Sequence, residues 1–95
     1  MAVYYIIDVN VEDPETYETY RKLVKPTLDL YGGTFLARGG VTETIEGDWH
    51  PGRLVIIEFA NTEAFKRWYD SPEYSKAKAI RFSASTSRAV LLHGV

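Results

Sequence analysis

Apolar and polar positions alternate without interruption at the start of this chain. Val3, Tyr5, Ile7, Val9 and Val11 face one way, and Tyr4, Ile6, Asp8 and Asn10 face the other. A period of two predicts a β-strand, here with one wholly apolar face. The period then changes. Asp13-Pro14 sets an N-cap before a proline at the first helical position, and Tyr17, Tyr20, Val24, Leu28 and Tyr31 recur at helical spacing. This predicts an amphipathic helix over about 14–31, kinked or split at Pro26 and ended by Gly32-Gly33. Phe35 to Gly40 reads as a second strand, with Val41 to Ile45 as a candidate continuation, and Gly47 to Gly52 reads as a turn. Arg53–Ala60 is a third strand with Val55, Ile57 and Phe59 on one face and Leu54 and Ile56 on the other. Apolar residues on both faces suit a central strand. Asn61-Thr62 caps a short helix holding Phe65, Trp68 and Tyr69, Ser71-Pro72 starts another that runs to about Phe82, and Arg88–His93 is the last strand.

The order β-α-β-β-α-β, with short connections and right-handed crossovers, predicts an α+β ferredoxin-like sandwich: a four-stranded antiparallel sheet with its helices on one face. Helices on one face leave the other uncovered, and Tyr4, Ile6, Leu54 and Ile56 belong to it. A continuous apolar patch of that kind commonly marks an interface. The expectation is a two-fold homodimer through the open sheet face, the chain's partner being a second copy of itself.

Ninety-five residues predict one domain spanning 1–95. The chain has no cysteine, so disulfides, zinc–thiolate sites and redox dithiols are excluded. Nothing approaches the roughly 18 unbroken apolar residues of a membrane span, and the N-terminus lacks the basic region of a signal peptide. These features predict a cytoplasmic protein with no membrane partner. A net charge of −2 argues against nucleic acid. Most of the carboxylates precede residue 60, while Lys66, Arg67, Lys76, Lys78, Arg81 and Arg88 follow it, which reads as two differently charged surfaces.

Several multi-residue blocks, in order, carry a resemblance. They are Asp13-Pro14 with Tyr17 and Tyr20, Tyr31-Gly32-Gly33, Arg38-Gly39-Gly40, Glu46-Gly47-Asp48-Trp49, Arg53-Leu54, Glu58-Phe59, Trp68-Tyr69, Ser71-Pro72-Glu73-Tyr74 and Arg81. Over nearly its whole length the chain resembles the family catalogued as domain of unknown function 1330, a branch of the dimeric α+β barrel superfamily. The resemblance implies the ferredoxin-like fold and sheet-to-sheet dimerisation. It implies no activity. The wider superfamily holds cofactor-independent monooxygenases, haem-degrading enzymes, isomerases and ligand binders, and fold alone does not choose among them.

Charges inside apolar strands are the chemical candidates, because such a charge must be paired, solvated or used. Arg38 and Glu58 are the first. As an ion pair they would be structural; lining a cavity, Arg38 would suit a carboxylate or enolate and Glu58 would be a candidate general base. The hairpin register between them is not readable from the chain. Trp49 is either an aromatic lid or an interface anchor, and Arg53 is expected to pair with an acidic neighbour. Trp68 and the tyrosines Tyr17, Tyr20, Tyr31, Tyr69 and Tyr74 read first as core and second as an aromatic pocket. Arg81 reads as a helix C-terminal residue or an anion ligand. Neither His50 nor His93 has the converging ligands of a metal site, and no cofactor motif is present. The reading is a protein that binds, or converts without a cofactor, a small aromatic or carboxylated metabolite. The alternatives are an interaction module without catalytic activity, and a haem-binding or monooxygenase-like protein with His50 or His93 as ligand.

Overall fold

The computed structural model describes residues 1–95. Its elements are β1 (Val3–Val11), α1 (Pro14–Tyr31), β2 (Thr34–Arg38), β3 (Arg53–Phe59), α2 (Thr62–Tyr69), α3 (Pro72–Ala84) and β4 (Ser85–His93). The strands form one antiparallel sheet in the order β2-β3-β1-β4, the arrangement of a ferredoxin-like α+β fold. β1 and β3 are central, in keeping with apolar residues on both of their faces.

The alternation of β1 reappears as burial. Val3, Tyr5, Ile7 and Val9 are buried beneath the helices together with Val55, Ile57 and Phe59 of β3. Tyr17, Tyr20, Val24 and Leu28 of α1 and Trp68, Tyr74, Ala77 and Ala84 close the layer from above. Trp68 is fully buried, stacks on Tyr74 with ring centroids 3.9 Å apart, and donates its Nε1–H to Thr27 Oγ1 at 3.0 Å. The indole thus buries its large apolar surface without an unmet donor. Across the sheet, Tyr4, Ile6, Leu54 and Ile56 are only half-buried, and Val90 and Leu92 of β4 are exposed at 61% and 54%.

Local signals explain the helix ends. Asp13 accepts from the Thr16 backbone N–H at 3.3 Å, Asn61 from that of Ala64 at 2.8 Å, and Ser71 from that of Tyr74 at 3.0 Å. Gly32 ends α1 in the left-handed region at φ 79°, where a side chain would be strained.

Three expectations are corrected. Pro26 does not split α1, which runs unbroken from Pro14 to Tyr31. Pro26 and Lys22 both lie on the exposed side of the helix, where the backbone hydrogen bond that proline cannot donate is least costly to lose. Residues 41–45 do not extend β2. The ladder carries a register shift between Phe35 and Ala37, and the chain turns away at Gly39 with φ 70° after its N–H reaches Leu54 O at 2.9 Å. Finally, β4 begins at Ser85 rather than Arg88, directly after α3, because the backbone N–H groups of Glu12 and Asp13 hold the Ala84 carbonyl at 2.9 Å each.

Candidate functional site

Strand register assigns each charged residue to a face. Glu58 lies opposite Tyr4 and Thr34, on the open side of the sheet. Arg38 lies opposite Val55, whose side chain is buried under the helices. The two therefore occupy opposite faces, and the Arg38–Glu58 pair expected as one alternative does not form. A one-residue difference in parity is enough to decide this, because successive strand side chains alternate.

On the helix side, Arg38 borders a cavity between α1 and the sheet. Its walls are Tyr5, Ile7 and Val9 of β1, Tyr17, Tyr20 and Val24 of α1, Phe35 of β2, and Val55 and Ile57 of β3. Arg21, Arg38 and Arg53 complete the lining, and no carboxylate does. Empty space within it and its open mouth totals about 360 Å³, of which about 20 Å³ is open to the centre of a water-sized sphere. That inner volume takes about one water-sized group.

The three arginines differ in their bonding. Arg21 is paired with Glu18 at 3.3 Å on the helix surface. Arg38 lies over the Phe35 ring at 4.3 Å and donates from Nη2 to the Arg21 carbonyl at 3.0 Å. Partial burial and the neighbouring Arg21 and Arg53 cations hold its pKa below the ordinary arginine value. Arg53 lies over Tyr17 at 5.9 Å, and its Nε is buried without a hydrogen-bond partner. The expected acidic partner of Arg53 is absent, since no carboxylate lies within ion-pair distance. Gly39 makes the room for it. A Cβ there would overlap Arg53 Nη1 and lie 2.8 Å from Cζ.

Behind the tyrosine wall is a further cation. Arg81 is 2% exposed, donates from Nη1 to Ser87 Oγ at 2.7 Å, and has no carboxylate partner. Burial alone would lower its pKa, but the oxygens of Tyr74, Tyr5 and Tyr20 face it and hold the value above that of an ordinary arginine. Burial first, then proximity to Tyr74, raises the pKa values of Tyr5 and Tyr20, so both hydroxyls stay protonated across the physiological range. The Tyr20 and Tyr74 hydroxyls share a buried hydrogen bond of 3.0 Å.

The other sequence candidates lie elsewhere. Trp49 sits on the open side of the sheet, donating Nε1–H to Asp8 Oδ2 at 3.2 Å, while the Gly52 N–H reaches Asp8 Oδ1 at 3.0 Å. Asp8 thereby pins the segment after β2 to β1. Trp68 is core and does not line the cavity. His50 is exposed near Asp48, and no cluster of three or more His, Asp and Glu side chains is placed to hold a metal ion. Of the residues picked from sequence for ligand binding, Arg38 lines the cavity, as do Tyr17 and Tyr20 from the second, aromatic-pocket reading of the tyrosines. Arg53 was legible only as a charge of the same parity as Val55 and Ile57, which marks it as facing the helices.

Fold and site together define a ferredoxin-like α+β protein with an arginine-rimmed, tyrosine-walled cavity under its first helix. Residues 2–95 match the family described as domain of unknown function (DUF1330), and the chain belongs to that family. Among solved structures it is similar to a protein of unknown function from Rhodopseudomonas palustris, at 21% identity and TM-score 0.81, covering 99% of this chain and 82% of that one. It is similar to SnoaB, a cofactor-independent oxygenase from Streptomyces nogalater, at 16% identity and TM-score 0.71, covering 99% and 93%. A dimeric ferredoxin-like protein of unknown function from Thermobifida fusca shares 18% identity at TM-score 0.62, with 99% and 92% covered. No curated protein matches the chain. At these identities the likeness shows the fold. No helix is long and apolar enough to cross a membrane.

Proposed function

We propose that this protein binds a small carboxylated metabolite in the cavity beneath α1, with Arg53 and Arg38 receiving the carboxylate. One observation carries the reading: these two like-charged guanidinium groups border an apolar, tyrosine-walled cavity that has no acid in its lining. Arg53, with Arg21, raises the cost of the Arg38 charge, and Arg53 itself keeps a buried donor unmet. An anion between them would relieve both. The planar fork of arginine suits the two oxygens of a carboxylate. The remaining lining, with Tyr17, Tyr20, Val24 and Phe35, is apolar and suits the uncharged part of such a ligand. The likeness to a cofactor-independent oxygenase makes conversion without a cofactor compatible with this site, though binding is all that the arginine geometry supports directly. Glu58, on the other face, is not placed to act as a base in this cavity.

The second part of the proposal is the assembly. Relatives of the same fold are described as dimeric, and Tyr4, Ile6, Leu54, Ile56, Val90 and Leu92 leave the open face apolar. A second copy packed sheet to sheet is the occupant we propose for it.

The binding test uses benzoate against its neutral isostere benzamide, followed by NMR. Benzoate is expected to shift the side-chain signals of Arg53, Arg38, Tyr17 and Tyr20, and benzamide is not. Arg53→Gln is expected to weaken benzoate at least about tenfold, the usual scale for losing a charge-assisted hydrogen bond. Equal responses to the two probes, or shifts confined to the open sheet face, would remove the proposal.

A further inference from the structure

The open face of the sheet carries a carboxylate with no partner and a cation with only a distant one. Glu58 stands between Ile56 on its own strand and Tyr4 on the next, half-buried, and makes no ion pair. The strands hold no lysine and three arginines. Arg38 and Arg53 face the helices, opposite Val55 and Val9, and Arg88 alone faces the open side, opposite Asp8. The Arg88 side chain is 76% exposed, and its Nη2 stays 3.7 Å from Asp8 Oδ2, too long for a hydrogen bond. Glu58 and Arg88 cannot meet within one chain. Glu58 is level with Tyr4 on β3, Arg88 is level with Asp8 on β4, and β1 runs between them. Ideal strand spacings separate them by about 13 Å along the strands and about 10 Å across.

A second sheet laid over Ile56 and Tyr4 takes water from the carboxylate between them, and a charge so covered needs a partner. Resting on the sheet-to-sheet assembly proposed above, we infer that Glu58 pairs with Arg88 of the partner subunit and that this pair fixes how the two sheets cross. The face complements a second copy of itself because it bears both charges. Two-fold symmetry makes the contact reciprocal, so the pair occurs twice. The midpoint between Glu58 and Arg88 falls on Ile6, since β1 lies between β3 and β4, and Ile6 lies between Tyr4 and Asp8. Ile6 is also central in the apolar band, with Ile56 on one side and Val90 on the other. A two-fold axis over Ile6 therefore serves the charges and the apolar contact together. Run along the strands, such an axis would set Glu58 over the partner's Leu92; run across them, over the partner's Leu54. Either setting covers a bare carboxylate with a leucine. An axis along the line joining the two charges would set Glu58 over the partner's Glu58. The axis perpendicular to that line brings it to the partner's Arg88. The sheets then cross at about 70° on ideal spacings, near the orthogonal class of sheet packing.

Sedimentation equilibrium separates this pairing from the assembly it rests on. A monomeric unaltered chain would remove both together. In a dimeric protein, Glu58→Lys and Arg88→Glu should each weaken association at least about tenfold, because each sets like charges against one another in both copies of the contact. An equimolar mixture of the two variants should regain most of the lost affinity, since their heterodimer restores opposite charges in both contacts. Dimerisation unaffected by either variant, or a mixture no tighter than its components, refutes the pairing and leaves the assembly standing. A second readout is independent of what the pair contributes in energy. The chain has no cysteine, so Glu58→Cys and Arg88→Cys each carry a single thiol. Mixed, the two chains should be joined by a short bismaleimide. Neither should cross-link alone, because the oblique axis leaves each position about 16 Å from its own copy. Cross-linking of Glu58→Cys with itself, or none in the mixture, would overturn the inference.

Discussion

A glycine and an arginine share one volume at the rim of the cavity. Gly39 has φ 70°, and the space its missing side chain leaves is filled by the Arg53 guanidinium. Gly39→Ala should therefore act twice. The left-handed backbone disfavours alanine by about 1–2 kcal/mol, and the added methyl drives Arg53 away from its place over Tyr17. The expected result is a loss of stability of that size in urea melts, together with a loss of benzoate affinity approaching that of Arg53→Gln. Combining the two substitutions should add little further loss of affinity, because both remove the same cation from the site. Fully additive affinity losses would show that Gly39 shapes the site by some route other than Arg53.

Elements were more legible than contacts between them. The alternation from Val3 to Val11, the caps Asp13, Asn61 and Ser71, and the two-faced apolar run of β3 specify strands and helices through local periodicity and backbone chemistry, and each appears in the fold. What the chain did not disclose depends on register. The shift between Phe35 and Ala37 decides that Arg38 faces the helices, and no local signal announces it. The cross-element hydrogen bond from Tyr31 to Glu73 was equally hidden, because a half-buried tyrosine and an exposed carboxylate far apart in sequence carry no shared pattern. It spans 2.7 Å and ties the end of α1 to the start of α3. The tyrosine hydroxyl holds the Glu73 carboxyl below the usual carboxylate range, and Glu73 holds the Tyr31 hydroxyl above the usual tyrosine range. A lowered carboxyl pKa stabilises the fold above the unfolded value, about 4.3, and that contribution fades as pH falls through the folded value. A raised tyrosine pKa gives stability below about pH 10 that is lost as pH rises. Tyr31→Phe should accordingly raise the Glu73 pKa in an NMR titration. It should also lower the urea midpoint at about pH 7 by more than at about pH 2. A deficit independent of pH would mean that the bond is not formed in solution.

At the scale of the whole molecule, the sheet divides the chain into a finished side and an unfinished one. The helix side is closed by Trp68, Tyr74, Leu28 and Phe59, each nearly or wholly inaccessible. On the other side the register aligns Tyr4 with Leu92 and Ile6 with Val90, next to Ile56 and Leu54, in a continuous apolar band. The segment pinned there by Asp8 adds Trp49, and beyond it Val41 and Ile45 stand fully or almost fully exposed. A chain of 10.8 kDa with 6078 Å² of surface can place about 800 Å² in an interface of standard size, and this band with its flanking arm is the apolar area available for it. Val90→Lys puts a charge in the middle of the band while leaving the helix-side core untouched. The unaltered protein should sediment as a dimer with a melting temperature that rises with concentration. Val90→Lys should sediment as a monomer, melt lower and lose the concentration dependence, yet retain benzoate binding, since the cavity lies on the helix side of the sheet, away from the band. A monomeric unaltered protein at high concentration would sink the sheet-to-sheet assembly. Loss of benzoate binding on dissociation would show instead that the cavity depends on the partner for its shape.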